Sequence, residues 1–343
     1  VKIDARIHRL LGRAQERIPP SKEDCVVLLD CPATSIEASA IRAVADAIGR
    51  ERFGNQAFVL GQIGIEINPC PGQCKFCSFA ENHTLFTPGR MSIDEVLAGA
   101  NNFTVSGDLY AIFLMTMHGF DFERLLAIVN SMRERMPLQS QIVVNIGDFD
   151  REQARLLRDA GVSGAYHIYR LREGIDTRLN PETRKQTIKA IKDAELDFYY
   201  CCEPIGPEHS TEELVEQLFI GIEVGCFQHA AMRRVYIPNS PMASYGQITE
   251  LRLAQVTAVV ALASLACSEI KGIAVHEPNL IGLTSGANAI YAETGSNPRE
   301  TIEDTSAHRG RDVSACKSML YEAGFDFLLT APDKRRSLTR VYE

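Results

Sequence analysis

Several things are missing from this chain, and each absence removes a class of function. No basic block is present: 36 Lys and Arg stand against 44 Asp and Glu, a formal net charge of −8. Nucleic acid therefore has no electrostatic footprint as the main partner. No hydrophobic run is long enough for a bilayer. The longest uncharged stretch of the apolar helix region, between Arg252 and Glu269, is 16 residues broken by Gln255, Thr257 and Ser264. It reads as a buried helix, and no membrane partner is expected. The first segment, Val1–Arg13, is charged and lacks the apolar core of a signal peptide. Ten cysteines in 343 residues are far too few for a secreted disulfide scaffold. Repeats and low-complexity stretches are absent too. What remains, 45% hydrophobic and 23% charged, describes an ordinary globular chain. The expected compartment is a reducing cytoplasm, where clustered cysteines bind metal more often than they form bridges.

Short apolar, β-branched or aromatic runs recur along the chain, each followed by a segment of helical period. The strand candidates are Phe58–Ile67, Tyr110–Thr116, Gln141–Ile146, Gly164–Tyr169, Asp197–Cys202, Ala230–Ile237, Lys271–His276 and Ala287–Glu293. Eight alternating strands and helices give the arithmetic of an α/β fold, a complete (β/α)8 TIM barrel. Ser92 with Glu95 and Ser210 with Glu213 have capping-box spacing, and Asn180-Pro181 reads as an N-cap followed by a helix-starting proline. Leu125, Ile128, Val129 and Met132 form one apolar stripe, as a helix packed on a barrel requires. Interiors such as Ala111–Met115 are apolar on both faces, which fits parallel strands covered on both sides. The expected organisation is an N-terminal helical extension over 1–55, the barrel over 56–295, and a C-terminal helix near Val313–Ala323 with loop over 296–343.

Directly after the first strand comes Asn68-Pro69-Cys70-Pro71-Gly72-Gln73-Cys74-Lys75-Phe76-Cys77. Three thiols at C-x3-C-x2-C can converge on one inorganic centre. A tetrahedral thiolate site normally takes four protein ligands, so a [4Fe–4S] cube held here keeps one iron open. Loops after barrel strands lie at the C-terminal face, where such barrels do their chemistry. Other readings of the loop are a structural zinc with His83 as fourth ligand, a redox pair at Cys74 and Cys77, and simple buried thiols. A redox pair has no need of Cys70, and buried thiols suit a Pro/Gly loop poorly.

With an aromatic residue before its third cysteine, this loop resembles that of the radical S-adenosylmethionine (SAM) enzymes. The resemblance extends to the biotin synthase-like branch, which includes biotin synthase, the [FeFe]-hydrogenase maturase with a complete barrel, and methylornithine synthase. It takes in Arg172-Glu173-Gly174-Ile175-Asp176-Thr177 after the fourth strand, Pro238-Asn239-Ser240-Pro241 after the sixth, and Gly286-Ala287-Asn288 before the eighth.

Such a resemblance implies a [4Fe–4S] cluster on Cys70, Cys74 and Cys77, with SAM chelating the open iron. It further implies reductive SAM cleavage to a 5′-deoxyadenosyl radical that abstracts hydrogen from substrate, with a flavodoxin- or ferredoxin-type electron donor. Phe76 is implied to present backbone to the adenine, and Ile205, before Gly206, to pack on it. Glu173 is implied to meet the ammonium or ribose, and Arg184 the carboxylate. Thr116, Met117 and His118 end the second strand, where relatives carry a Gly-Glu-type motif that is absent here; strand-end packing is their alternative. Arg184 also lies in a basic helical run with Lys185 and Lys189, a pattern typical of a solvated face.

Other strand ends supply substrate-facing candidates. Asn145 and Asp148 follow strand three, Arg234 and Tyr236 lie two apart on strand six, His276-Glu277 ends strand seven, and Glu293 ends strand eight. Arg233 and Arg234 cannot both point inward, so one is expected to face the outer helices. A mouth of mixed acids and bases suits a small zwitterionic or carboxylated metabolite. Sulfur insertion, as in biotin or lipoyl synthesis, asks for a second cluster. Strands two and three offer no cysteine for one, and only Cys201 and Cys202 on strand five are in a comparable place. Rearrangement or fragmentation of an amino-acid-like substrate is favoured over sulfur insertion, a metallocofactor maturase, or a non-catalytic iron–sulfur protein.

Overall fold

The computed structural model describes residues 2–84, 86–135, 140–277, 279–293 and 311–339. The chain begins with three helices, α1 (Ala5–Gln15), α2 (Lys22–Asp30) and α3 (Ile36–Arg52), before the first strand β1 (Gln56–Gly64). A small antiparallel ribbon follows, β2 (Glu66–Ile67) with β3 (Gly89–Arg90), enclosing the cysteine loop. Strands and helices then alternate: α4 (Ile93–Thr104), β4 (Leu109–Met115), α5 (Phe122–Arg135), β5 (Gln141–Asn145), α6 (Arg151–Asp159), β6 (Gly164–Tyr166) and α7 (Pro181–Asp193). The second half runs β7 (Asp197–Tyr199), β8 (Cys202–Ile205), α8 (Thr211–Val224), β9 (Gln228–Arg233), α9 (Glu250–Ala263), β10 (Gly272–Val275), α10 (Leu280–Leu283) and β11 (Ala289–Glu293). After it come α11 (Val313–Glu322), β12 (Phe327–Ala331) and β13 (Lys334–Ser337).

Eight parallel strands, in the order β1-β4-β5-β6-β7-β9-β10-β11, form the sheet, and β11 pairs back onto β1 with Phe58 opposite Ala289. The barrel is therefore closed, with helices between its strands, as the alternation of runs predicts. β8 continues the line of β7 and pairs with β9. Three helix starts are held as their sequences demand. Ser92 and Ser210 close capping boxes with Glu95 and Glu213, and Asn180 caps the helix that Pro181 opens.

Below the mouth the barrel is plugged by aromatic rings. Phe113 meets Tyr199 and Tyr291 edge-on at 5.1 and 5.3 Å, and His276 stacks on Tyr291 at 4.1 Å. That floor confines any ligand to the C-terminal ends of the strands. The uncharged run between Arg252 and Glu269 becomes α9, whose Leu253–Ala263 are all buried. Its outer side is covered by the N-terminal helices, to which Gln255 donates through Nε2 at the carbonyls of Leu28 (2.9 Å) and Cys31 (3.0 Å). Close approach here depends on Gly286, at φ +98°, where an added Cβ would sit 2.8 Å from that of Ala261.

Two expectations need correction. The tail beyond the last helix is not loop alone: β12 and β13 form a hairpin, and β12 lies parallel to the first residues of β1, with Gln56 opposite Phe327. The sixth-strand candidate Ala230–Ile237 also ends earlier, at Arg233. The boundary placed at 295 lies outside the described residues.

Candidate functional site

One cavity opens at the C-terminal ends of the barrel strands. It encloses about 940 Å³ of space, part of it open to solvent. Cys70, Cys74 and Cys77 all line it, together with Phe76, Thr116, Met117, His118, Asn145, Arg184 and Arg234. Ten of the residues singled out from sequence thus meet at one place.

The cysteine loop is pinned at both ends. Cys70 donates its N–H to Phe79 O (2.7 Å), and Glu81 N–H returns to Cys70 O (3.1 Å). Across the mouth, Lys75 N–H reaches Asp176 O (2.9 Å), Lys75 Nζ pairs with the Asp176 carboxylate (2.9 Å), and Arg178 N–H meets Gly72 O (2.8 Å). The segment after β6 is therefore a clamp on the thiols. Gly72 packs closely here: an added Cβ would lie 3.1 Å from Leu179 Cδ2 and 3.4 Å from Cys70 Sγ.

None of the ten cysteines forms a disulfide. Burial pushes the Cys74 thiol up to about 12, with Arg170 acting in the opposite direction, so a bound metal must drive its deprotonation. His83, the zinc alternative's fourth ligand, is turned back on the loop, with Nε2 2.7 Å from Cys77 O. Among the described residues, no three His, Cys, Asp or Glu side chains are grouped to hold a single ion. Three thiols around one cavity instead have the donor set of a multi-iron cluster, in which each sulfur binds a different iron.

Opposite the cysteines, β4 and β5 end in a buried charge cluster. Asp148 receives Arg184 Nη1 at 2.8 Å and lies 3.1 Å from His167 Nε2 and 3.8 Å from His118 Nε2. Burial opposes its ionisation, yet His167 and Arg184 hold its carboxyl well below the usual range. Burial pushes His167 down to about 3 and lowers His118, so both rings are neutral at pH 7. Arg184 is 3% exposed and also donates through Nε and Nη2 to Ile168 O (3.1 and 2.6 Å). The solvated-face reading of Arg184 is thus corrected. Although Lys185 and Lys189 flank it in sequence, Arg184 shares a stripe with the buried Thr187, Ile188 and Ile191.

Glu173 is fully enclosed behind the wall. It accepts from Thr177 Oγ1 and from Arg170 N–H (3.0 Å), with Arg184 Nε 3.6 Å away. Ile205 is buried on β8. Neither of these, nor Asp148, Tyr236, His276 or Glu293, lines the cavity. Tyr236 does not share a face with Arg234, because the strand has ended and Tyr236 is 51% exposed. For the same reason Arg233 and Arg234 both border the cavity, where alternation would have sent one outward. Arg234 forms a two-pronged pair with Glu208, and Arg233 does so with Glu277 at 2.7 and 2.6 Å. Cys201 and Cys202 are fully buried in the wall and stand apart from the cavity; the Cys202 thiol points to Leu214 O in α8.

Sequence reasoning missed Arg170, Glu203 and Met232, which also line the cavity. Glu203 was hidden because the fifth-strand candidate stops at Cys202, one residue short. Arg170 lies in a loop whose path depends on the cysteine loop and on Glu203.

No protein-family model matches the chain. Among curated proteins it is similar to biotin synthase of Clostridioides difficile, 27% identical over 61% of this chain and 67% of that one. It is likewise similar to biotin synthase of Carboxydothermus hydrogenoformans, 28% identical over 52% of this chain and 58% of that one. With biotin synthase of Saccharopolyspora erythraea the identity is 22%, over 96% and 93%. In fold it resembles methylornithine synthase, with a TM-score of 0.78 at 16% identity over 92% of this chain and 96% of that one. The [FeFe]-hydrogenase maturase of Carboxydothermus hydrogenoformans gives 0.76 at 15% identity, over 93% and 78%. With a closed parallel barrel and a three-thiol loop after its first strand, the chain is similar in sequence to biotin synthases and in fold to methylornithine synthase.

Proposed function

We propose that the chain catalyses a rearrangement or fragmentation of a small amino-acid-like or carboxylated metabolite, with Cys70, Cys74 and Cys77 as the cluster ligands. When bound, the [4Fe–4S] cluster and SAM supply a 5′-deoxyadenosyl radical that removes hydrogen from substrate, with the electron coming from a ferredoxin- or flavodoxin-type donor. The observation that carries this reading is the single cavity in which three thiols outside any disulfide face a wall of paired acids and bases.

The protein's share of the work is positioning and exclusion. The aromatic floor and the clamp from Lys75 to Asp176 close the site from below and from one side, which keeps water and stray hydrogen donors away from the reacting carbon. Thr116, Met117, His118 and Asn145 form the facing wall and Phe76 the rim near the thiols. Arg184 borders the cavity beside that wall, and Glu173 supports it from behind. Ten cysteines without a disulfide suit a reducing cytoplasm.

Sulfur insertion is the second reading, favoured by the named relatives. Against it, no cysteine beyond the loop triad lines the cavity among the described residues. Anaerobic reconstitution tests both. Roughly four irons per chain and SAM-derived 5′-deoxyadenosine are expected, and both should vanish in Cys70→Ala, Cys74→Ala and Cys77→Ala. Activity retained in any of these would refute the triad. Replacing Cys201 and Cys202 together by Ala should leave iron and sulfide counts unchanged; a fall would revive the second cluster. Deuterium transfer from candidate metabolites into 5′-deoxyadenosine identifies the substrate.

A further inference from the structure

Four arginines border the cavity, and three spend their donors on the protein. Arg184 is held by Asp148 and Ile168 O, Arg233 by Glu277 and Ile248 O, and Arg234 by Glu208 and Gly246 O. Arg170 differs. Its guanidinium makes no hydrogen bond among the described residues. Nε lies 3.6 Å from Glu203 Oε1 and Nη1 3.9 Å from Glu173 Oε2, both beyond hydrogen-bonding reach. Nη1 is sealed from solvent without a hydrogen-bond partner, while 22% of the side chain is exposed.

An arginine carries five N–H donors, and a desolvated donor left unmade is costly. The group stays charged: burial opposes this, but the Glu173 and Glu203 carboxylates more than reverse it. A planar cation with unused donors beside a ligand cavity is shaped for a planar anion, and a carboxylate fits the guanidinium fork with two bonds. The flanking Glu173 and Glu203 disfavour a dianion such as phosphate, and Glu203 borders the same cavity, where it can take an ammonium group.

We infer that Arg170 is the carboxylate anchor of the cavity, receiving the amino-acid end of a bound small molecule whose ammonium group turns toward Glu203. The resemblance gives the carboxylate role to Arg184, but that guanidinium is already occupied by the protein. The inference rests on the function proposed above, and it names the α-amino-acid zwitterion as the chemistry recognised. Two molecules can bring that group: the methionyl end of SAM, or an amino-acid substrate.

Anaerobic calorimetry on reconstituted wild-type, Arg170→Gln and Arg170→Lys protein distinguishes them. In one arm SAM is compared with its decarboxylated analogue. If Arg170 holds the methionyl carboxylate, Arg170→Gln weakens SAM about tenfold or more and leaves the analogue unchanged. In the other arm the SAM-saturated protein is titrated with each of the proteinogenic L-amino acids. If Arg170 holds the substrate, SAM affinity is kept and the affinity for an amino acid bound by wild type falls by that factor. Arg170→Lys retains charge and fold but lacks the fork, so its affinity should lie between the other two. Variants that bind SAM and every amino acid as wild type does, including none at all, overturn the inference. Iron per chain, measured on the same samples, separates this failure from that of the cluster assignment: with iron retained and affinities unchanged, only Arg170 loses its role.

Discussion

Replacing Gly147 by alanine should damage the site far more than its single methyl suggests. Gly147 follows β5, and a Cβ built on it falls 2.9 Å from both the carbonyl carbon and the Cα of His118, and closer still to the His118 oxygen. Those are backbone atoms, so no side chain can rotate away. Restoring ordinary contact means moving the His118 peptide by about 1 Å, and overpacking of this kind costs about 1–3 kcal/mol. For a chain of this length, that corresponds to a fall of roughly 1–4 °C in Tm. The functional cost should be larger, because the displaced peptide carries Met117 and His118, which line the cavity. A misplacement of about 1 Å in a positioning wall can cost about 100-fold in rate. The assay pairs thermal denaturation with SAM cleavage and iron content. Iron should be retained, since the thiols sit on a different loop, while cleavage drops by roughly two orders of magnitude. Wild-type Tm and rate together would refute the steric argument. A lowered Tm with an unchanged rate would refute the role given to the wall.

Arg184→Gln removes the cation that Asp148 depends on, and breaking a buried pair from one side costs about 3–5 kcal/mol, roughly 4–7 °C in Tm. A solvated arginine would change stability by less than about 0.5 kcal/mol, and a shift that small would reject the buried assignment. Acid should also weaken the fold through His167. The unfolded chain binds a proton there near pH 6.5, whereas the folded ring resists until about 3. Its contribution is therefore intact above 6.5 and is lost as pH falls toward 3, by at most about 5 kcal/mol. Asp148 acts in the same direction lower down, its stabilisation being lost only below the usual carboxylate range. Urea midpoints for wild type and His167→Gln, measured from pH 7 to 5, should separate with the variant flatter; parallel curves would exclude the effect.

Where chemistry is written locally, the chain is legible. The strands announce themselves because parallel strands buried on both faces must be continuously apolar, and the three thiols because their spacing has few other uses. Arg184 shows how two local signals conflict. Its lysine neighbours suggest water, yet its spacing to Thr187, Ile188 and Ile191 places it on the packed stripe, and the stripe prevails because packing is worth more than a solvated charge pattern. Arg170 left no such trace. It lies beyond the end of β6 in a loop fixed by the cysteine segment, and nothing in its immediate sequence records Glu203, 33 positions on. Tyr236 failed for the opposite reason: strand alternation was extended past the point where β9 stops. The hairpin of β12 and β13 was missed because a short edge pair, with β13 wholly exposed, lacks a continuous apolar signature.

Closure of the barrel also sets an order of events during synthesis. The strand that precedes the cysteine loop finds its second barrel neighbour only when Val59 meets Ile290, roughly 230 residues later, or about 10–50 s at ribosomal speed. The clamp residue Asp176 emerges sooner, but still roughly 100 residues behind Lys75, about 5–20 s. Until then the three thiols hang on an unfinished sheet, whose later strands have yet to close around them. Cluster delivery to the nascent chain would meet flexible, accessible cysteines, whereas delivery after release must pass through the narrow mouth of a closed barrel. The pairing of the first strand with the last therefore decides when the cofactor can enter most easily, and how long the bare thiols are open to oxidants.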